Sequence, residues 1–226
     1  MREVILDTET TGLSFKNGDR IIEVGCIELI NHVSTGNNLQ FYCSTNKKIE
    51  ESAAKVHGLT NDFLSSHPSF ADQVDILLNF IKNDVLVIHN AEFDLGFINN
   101  ELRLLGKDSI KNKIIDTVFL ARKTLNTRIA NLDYLCRRFS IDLSERKLHG
   151  ALLDCQLLAE VYLELNGGKQ ISMNLKKTKN TEENIKEGQI LSTVNISKIT
   201  PSNNEILQHK QLAKQIKNSL WEKIDY

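Results

Sequence analysis

The sequence predicts an α/β fold, a mixed sheet of five strands covered by helices, and two patterns carry this prediction. The first is a set of three strand-like segments near the amino terminus, separated by turn-forming residues. The second is an alternation of short apolar runs with helical patterns, which continues to about residue 166. Antiparallel strands followed by β-α units give a sheet with both strand directions, packed against helices.

The three amino-terminal strands are expected at Val4–Asp7, Ile21–Ile30 and Leu39–Cys43, where β-branched and aromatic residues predominate. The turns between them are expected at Lys16–Asp19 and Ser34–Asn38, which are rich in glycine, asparagine and serine or threonine. This arrangement predicts an antiparallel meander.

The second part of the chain begins with a helix predicted at Ser69–Lys82, where apolar residues recur at helical spacing after a serine cap. The remaining elements follow in order: a strand at Val85–Ile88, a helix at Phe93–Leu105, a strand at Ile114–Ile115, and helices at Thr117–Leu125, Asn131–Phe139 and Leu152–Leu165.

The composition changes at Asn166, which divides the chain into three predicted regions. Residues 1–166 form the α/β domain, and residues 167–204, rich in Lys, Asn, Thr, Ser and Glu, are expected to be a flexible linker. Residues 205–226 form a tail in which apolar residues return at helical spacing as far as Trp221. An amphipathic helix of this kind either docks on a partner or packs back on its own domain.

The composition of the 226-residue chain excludes several classes of protein. A formal net charge of −1 gives no overall basic field for binding nucleic acid, so any such contact must be local or assisted by a partner. No apolar run reaches the ~18 residues of a membrane span, and the amino terminus becomes acidic before a signal-peptide core can form. We therefore expect a cytoplasmic protein without membrane partners.

The four cysteines show neither CxxC pairs nor metal-ligand spacing. We expect them to be buried, reduced thiols. They are Cys26, Cys43, Cys136 and Cys155.

The first strand ends in two carboxylates, Asp7 and Glu9. Residues i and i+2 of a strand point to the same face, so both side chains converge on one small volume. Like charges at such a separation are costly unless a cation lies between them. The pair therefore predicts a site for a positively charged group.

Two further segments place ionisable residues beside predicted strand and helix ends. Asp94 is expected in the first turn of a helix after a central strand, where α/β folds place their sites. Asp154 lies among leucines on its helix, and Gly150 predicts a preceding loop from which His149 can swing over the Asp154 face. Taken singly, Asp94 can equally be a residue that favours a helix start, and His149 a solvated side chain.

Taken together, these residues form three motifs, Asp7–Gly12, His89–Asp94 and His149–Asp154, which resemble the motifs of the DEDDh exonuclease family in order and separation. The resemblance extends over about residues 2–165. It also includes Arg20–Gly25 and Val56–Thr60.

The resemblance implies a ribonuclease H-like fold and a metal-dependent reaction. Two divalent cations, Mg²⁺ or Mn²⁺, would be held by Asp7, Glu9 and Asp154, with Asp7 bridging both ions and Asp94 completing the acidic set. Oxygen ligands suit such hard cations better than zinc. His149 would accept the proton of the attacking water. The products would be a nucleoside 5′-monophosphate and a strand shortened from its 3′ end.

Substrate contacts are implied at three places. The backbone of Thr10–Leu13 would hold the terminal nucleotide, with Leu13 as a wedge beside its base. His57 matches a substrate-contacting position of the family. Ser52 stands where some relatives carry a glutamate that contacts the terminal nucleotide, and this departure puts that contact in doubt.

The segments after residue 166 resemble the epsilon subunits of bacterial DNA polymerase III, a family of proofreading exonucleases. Gln170–Leu175 is similar to a sliding-clamp-binding peptide, and the tail resembles the region that docks on the catalytic alpha subunit. This resemblance implies the 3′ end of a DNA primer as substrate, the replisome in the bacterial cytosol as location, and a small third subunit as a further core partner.

Two other interpretations remain. A stand-alone exoribonuclease of the same family would trim RNA 3′ ends, and a non-catalytic member would act only as a scaffold. A scaffold predicts the loss of at least one acid, and this sequence retains them all.

Overall fold

The structure is a computed structural model, and it describes residues 1–168 and 201–215. The chain divides into two units, Met1–Asn174 and Leu175–Tyr226.

The described part of the first unit contains one sheet and seven α-helices. The strands are β1 (Arg2–Thr10), β2 (Ile21–Ile30), β3 (Val33–Tyr42), β4 (Val85–Ile88) and β5 (Ile114–Asp116). The helices are α1 (Glu51–His57), α2 (Asn61–Leu64), α3 (Phe70–Ile81), α4 (Ala91–Leu104), α5 (Thr117–Leu125), α6 (Leu132–Arg138) and α7 (Ala151–Leu165). The strand order is β3-β2-β1-β4-β5, with β1-β2 and β2-β3 antiparallel and β1-β4 and β4-β5 parallel. The predicted mixed sheet of five strands is confirmed.

Strand β1 is buried on both faces, which explains its continuous apolar run. Val4 and Leu6 belong to a core cluster that includes Leu77 of α3 and Ile98 of α4. Ile5 points to the opposite face and belongs to a second cluster, built largely from α6 and α7. Helices therefore cover both sides of the central strand, and the polar end of β1 is the point at which this strand leaves the core.

The prediction of a turn at Ser34–Asn38 is wrong, because β3 already begins at Val33. The turn lies at Asn31 and His32, whose φ angles are 51° and 68°. Two consecutive positive φ values give a tight hairpin whose twist matches that of the strands. The polar residues at 34–38 reflect the solvent exposure of the sheet edge rather than a turn. The turn at Lys16–Asp19 is confirmed, with Gly18 at a φ of 81°.

Helices α1 and α2 are absent from the sequence-based assignment. They are short, and within α1 only His57 is buried, so no apolar stripe of helical period is present. The longer helices follow the prediction. In α3, the Asp72 carboxylate accepts hydrogen bonds from the backbone N–H and hydroxyl of Ser69, as in a capping box.

The described part of the second unit is helix α8 (Asn203–Gln215), which begins two residues before the predicted tail at Glu205. Its first turn is capped by Ser202, whose N–H and hydroxyl donate to Glu205. The clamp-like segment Gln170–Leu175, most of the predicted linker and Trp221 lie outside the described residues.

Two further expectations concern the whole chain. All four cysteines are buried and free, as predicted. Within residues 1–168 and 201–215, no helix combines the length and apolar character that crossing a membrane requires.

Candidate active site

A cavity of about 620 Å³ lies at the end of β1, beside the beginning of α4 and the loop that precedes α7. Leu13 and all seven polar or ionisable residues that the sequence singles out as site residues line it. The seven are Asp7, Glu9, Ser52, His57, Asp94, His149 and Asp154.

Strand β1 brings the first two acids into the cavity. Asp7 and Glu9 are half-buried, whereas Thr8 and Thr10 between and after them are buried, in keeping with the alternation of a strand. The pairing of β1 with β2 shifts its register between Glu9 and Thr10. Such an irregularity bends a strand and changes the direction of its side chains. The strand therefore ends where its two acids face the cavity.

Asp94 is fixed to β1 by two hydrogen bonds. The backbone N–H and the hydroxyl of Thr8 donate to Asp94 Oδ1 at 2.9 and 2.7 Å, and only 3% of Asp94 is exposed. The turn from β4 into α4 is made by Asn90 at a φ of 65°, a conformation that asparagine tolerates better than most residues. Asp94 is thus held on the first turn of α4, against the strand that carries the other acids.

Helix α7 reaches the site because β2 has a glycine where the two elements cross. A Cβ atom on Gly25 would lie 2.4 Å from the carbonyl carbon of Ala151, so any side chain would push the helix away. Gly25 is paired with Asp7 in the sheet. The first backbone N–H groups of α7, those of Ala151 and Leu152, also act on Glu23 of β2, because they oppose the rise of its pKa that burial causes. These contacts bring Asp154, on the first turn of α7, to the acids of β1.

His149 lies in the loop before α7, as the glycine at position 150 predicts. Its backbone N–H donates to the Val56 carbonyl at 3.0 Å, which ties the loop to α1. Its Nδ1 lies 3.2 Å from Asp154 Oδ2, while nearly half of the side chain is exposed. The imidazole therefore stands at the mouth of the cavity, next to a buried carboxylate.

Arg146 is a site residue that the sequence analysis missed. Its Nε and Nη2 donate to Asp154 Oδ1 and Oδ2, both at 2.7 Å, and its Nη1 donates to Asp133 of α6. Nη2 also lies 3.0 Å from His149 Nδ1. The Arg146 side chain is only 7% exposed. In the sequence it is one basic residue in a charged loop, without a pattern that distinguishes it.

The acids on β1 and α4 are strongly perturbed. Burial, followed by repulsion from Asp94, Glu9 and Asp154, raises the pKa of Asp7 well above its usual range. Burial and repulsion from Asp154 raise the pKa of Glu9 to about 8. Burial raises the pKa of Asp94 to about 7, although its hydrogen bonds from Thr8 oppose this shift. These carboxylates are held where their charges repel each other.

Asp154 behaves in the opposite way. Burial alone would raise its pKa, but the hydrogen bonds from Arg146 and His149 outweigh this effect and lower it. Its negative charge is therefore compensated within the protein.

His57 lies at the wall of the cavity with a fixed ring. Its Nδ1 accepts the backbone N–H of Leu59 at 3.0 Å, and burial lowers its pKa. Ser52 is exposed at the rim, with its hydroxyl 3.5 Å from Glu50. Leu13 also lines the cavity, and its side chain is 79% exposed. The wall and rim of the cavity thus present one buried imidazole, one exposed hydroxyl and one exposed apolar side chain.

The residues of the site fit a divalent metal ion. Ligand atoms of Glu9, His149 and Asp154 all lie within 4.8 Å of one another. Asp7 and Asp94 add carboxylates whose repulsion a cation would relieve. A donor set dominated by carboxylate oxygens is the kind that hard divalent cations prefer.

Comparisons with known proteins agree with this geometry. Residues 4–162 match the family model described as Exonuclease. The chain is 41% identical over 222 residues to the DNA polymerase III subunit epsilon of Rickettsia felis, covering 96% of this chain and 97% of that protein. It is 43% identical over 176 residues to the subunit of the same name from Escherichia coli K12, covering 74% and 72% of the two chains.

Solved structures show the same fold. The nuclease domain of 3′hExo, a DEDDh family member bound to rAMP, is 17% identical with a TM-score of 0.65, covering 75% of this chain and 94% of that one. Exonuclease X in complex with 5′ overhanging duplex DNA is 22% identical with a TM-score of 0.58, covering 72% and 90%. The ribonuclease H-like fold implied by the three motifs is confirmed.

Proposed function

The chain belongs to the exonuclease family and, within it, to the DNA polymerase III epsilon subunits, and from this membership we propose that it proofreads replication by removing misincorporated nucleotides from the 3′ end of a DNA primer. The observation that carries the proposal is the convergence of four carboxylates and His149 in one cavity, in a chain that aligns along 96% of its length with a relative of that name.

The acids are proposed to hold two divalent cations, Mg²⁺ or Mn²⁺. Asp7, Glu9 and Asp154 would bind them directly, with Asp7 shared between both, and Asp94 would complete the set. Bound there, the cations would stabilise the negative charge that develops on the attacking and leaving oxygens of the phosphodiester. The hydrogen bonds from Thr8 keep Asp94 in place for this role.

His149 is proposed to be the general base. It would accept a proton from water while the water oxygen bonds to phosphorus and the bond from phosphorus to the departing 3′ oxygen breaks. The leaving oxygen takes a proton from solvent, which gives a nucleoside 5′-monophosphate and a strand one residue shorter. The half-exposed position of His149 on a loop supports this role, since the ring can approach a bound substrate.

The rim is proposed to bind the terminal nucleotide. The backbone of Thr10–Leu13 would hold it, the exposed Leu13 side chain would press against its base, and His57 would contact it from the cavity wall. Ser52 faces the same space and would add at most a weak polar contact.

Partners are proposed from the family and from the segments after the nuclease domain. The proposed division is a nuclease domain at 1–166, a linker at 167–204 and a tail at 205–226 that would dock on the alpha subunit. Gln170–Leu175 would bind the sliding clamp, and a small third core subunit is a further partner. The protein would act at the replisome in the bacterial cytosol.

Delivery by a polymerase would explain how a chain with a formal net charge of −1 can act on DNA, since it then needs no large basic surface of its own. Selectivity for errors would follow because the site needs an unpaired 3′ end, and opening a correct base pair costs free energy.

The test is the digestion of 5′-labelled single-stranded DNA and RNA of equal sequence with Mg²⁺. The wild type is compared with Asp7→Ala and with Asp108→Asn, a surface acid outside the cavity, as the matched control. We expect a ladder that shrinks from the 3′ end of DNA for the wild type and the control, and none for Asp7→Ala.

The other outcomes decide between the remaining interpretations. A preference for RNA would indicate an enzyme that trims RNA 3′ ends, with the same site. An absence of metal-dependent cleavage of either strand would contradict the enzymatic function and leave a scaffold.

A further inference from the structure

We propose that Arg146 is a positioning residue that holds both oxygens of Asp154 and one ring nitrogen of His149 in the metal-free enzyme, and releases them together when divalent cations bind. This proposal rests on the proposed function, since it concerns the same site. It assigns Arg146 to the control of metal binding rather than to the chemical step.

The first argument is the geometry around Asp154. Arg146 donates to both carboxylate oxygens at 2.7 Å, the bidentate arrangement that gives a guanidinium its strongest contact with a carboxylate. Asp154 and Arg146 are each only 7% exposed at their side chains, so water competes little with this contact. A metal ligand is thus already occupied by a cation of the protein itself.

The second argument concerns the basic nitrogen of His149. His149 Nδ1 lies 3.0 Å from Arg146 Nη2 and 3.2 Å from Asp154 Oδ2, so it accepts from the guanidinium in one tautomer and donates to the carboxylate in the other. In both tautomers the ring is held by the ion pair of Arg146 and Asp154. Release of that pair would therefore also free the His149 ring.

The third argument is that Arg146 has a second partner besides Asp154. Its Nη1 donates to Asp133, which also lines the cavity and whose side chain is about half exposed. Divalent cations at the Asp154 oxygens would repel the guanidinium. Arg146 could then turn away while keeping its contact with Asp133, since this contact uses a different nitrogen from the two that bind Asp154.

A permanent ion pair would have different consequences. If Arg146 only anchored the loop before α7, its loss would loosen the site and weaken metal binding. If it competes with metal for Asp154, its loss must tighten metal binding, even where the metal-free protein becomes less stable. The two roles therefore predict opposite changes of one measured quantity.

The experiment is a calorimetric titration of the metal-free full chain with Mn²⁺, which measures the affinity for the metal. Wild type is compared with Arg146→Gln, with Arg146→Lys, which keeps the charge but cannot bind bidentately, and with Arg138→Gln, an exposed basic residue of α6, as the control. We expect about tenfold tighter binding by Arg146→Gln, as follows from removing a charge-assisted competitor. Arg146→Lys should lie between it and the wild type, and the control should equal the wild type.

A measurement on the wild type alone tests the same proposal without any variant. The ¹⁵N chemical shift of His149 Nδ1 should show that this nitrogen is hydrogen-bonded in the metal-free enzyme. Saturation with Mg²⁺, which is diamagnetic, should remove the shift caused by that hydrogen bond.

Two results would overturn the proposal, and they are distinguishable. Mn²⁺ binding that Arg146→Gln leaves unchanged or weakens would overturn the role of Arg146 alone. An absence of Mn²⁺ binding to the wild type would overturn the metal site of the proposed function as well.

Discussion

The two halves of the site differ in how their negative charge is compensated. On one side, Asp154 is paired with Arg146 and approached by His149, and its pKa is lowered. On the other side, Asp7, Glu9 and Asp94 form no ion pair within residues 1–168, and their pKa values are raised. Groups of the protein thus compensate the charge of Asp154, whereas the charges of the other three carboxylates need a bound cation to compensate them.

Removing one of the three acids that lack an ion-pair partner should have the largest effect on activity. We expect Asp7→Asn to lower the exonuclease rate by roughly 10³-fold or more, because the carboxylate proposed to be shared by both cations is lost. The metal-free protein should not lose stability, since a source of repulsion is removed with it. Single-turnover digestion and thermal unfolding of the same preparation measure both effects. A variant that keeps its activity would contradict the assignment of Asp7.

Separating the two halves should have the next largest effect. Gly25→Ala forces α7 away from β2, so we expect a loss of about 1–3 kcal/mol of stability and roughly a 10²-fold loss of activity as Asp154 shifts. Gly150→Ala is the control for stability, since no atom lies within 4 Å of its added Cβ. Equal stability of the two variants would show that the close approach at Gly25 is unimportant.

Weakening the contact between Asp94 and β1 should have a smaller effect. Thr8→Val removes one of two donors to Asp94 Oδ1 and keeps the backbone donor, so we expect a stability loss of about 1–2 kcal/mol and a further rise of the Asp94 pKa. Thr35→Val on the exposed strand β3, where the hydroxyl donates to Glu28 at 2.8 Å, is the matched control. Chemical denaturation of both variants measures the difference, and equal losses would argue against a special role for Thr8.

The two halves of the site should make the stability change with pH in opposite directions. Glu9 and Asp94 have folded pKa values of about 8 and 7, above their unfolded values. Their stabilising contribution is therefore present at low pH and lost as the pH rises through these values. Asp154 has a lowered folded pKa, so its contribution is present above its unfolded pKa and is lost at more acidic pH.

We accordingly expect the metal-free protein to lose several kcal/mol of stability between pH 5 and pH 8, because carboxyls with folded pKa values of about 8 and 7 ionise in the folded state across this range. Divalent metal should abolish that loss, since it binds the ionised carboxylates. Urea unfolding in EDTA and in Mn²⁺ across this range tests it. A stability that rises with pH in EDTA would contradict the raised pKa values.

The two halves also differ in how far the sequence could predict them. Asp7 and Glu9 on one strand form a local pattern whose period places both on one face, so their convergence follows from the sequence alone. The pairing of Arg146 with Asp154 depends on how a loop folds back on α7, and no local period encodes it. The role of Gly25 likewise could not be predicted from the sequence, because it depends on which helix crosses β2.

The fold shows the same division between local and tertiary information. Strands β1, β2 and β4 and the longer helices follow from apolar periodicity. The start of β3 was missed because an exposed edge strand carries polar residues, and α1 because it has no apolar face.

The most direct test of the account is the thermal unfolding of wild type and Asp7→Asn at pH 8, each in EDTA and in saturating Mn²⁺. We expect Mn²⁺ to raise the unfolding midpoint of the wild type by about 5 °C, as ligand binding to the folded state requires, and to raise that of Asp7→Asn much less. A wild type that does not respond to Mn²⁺, or a variant that responds equally, would contradict the claim that these acids are held together to bind divalent cations.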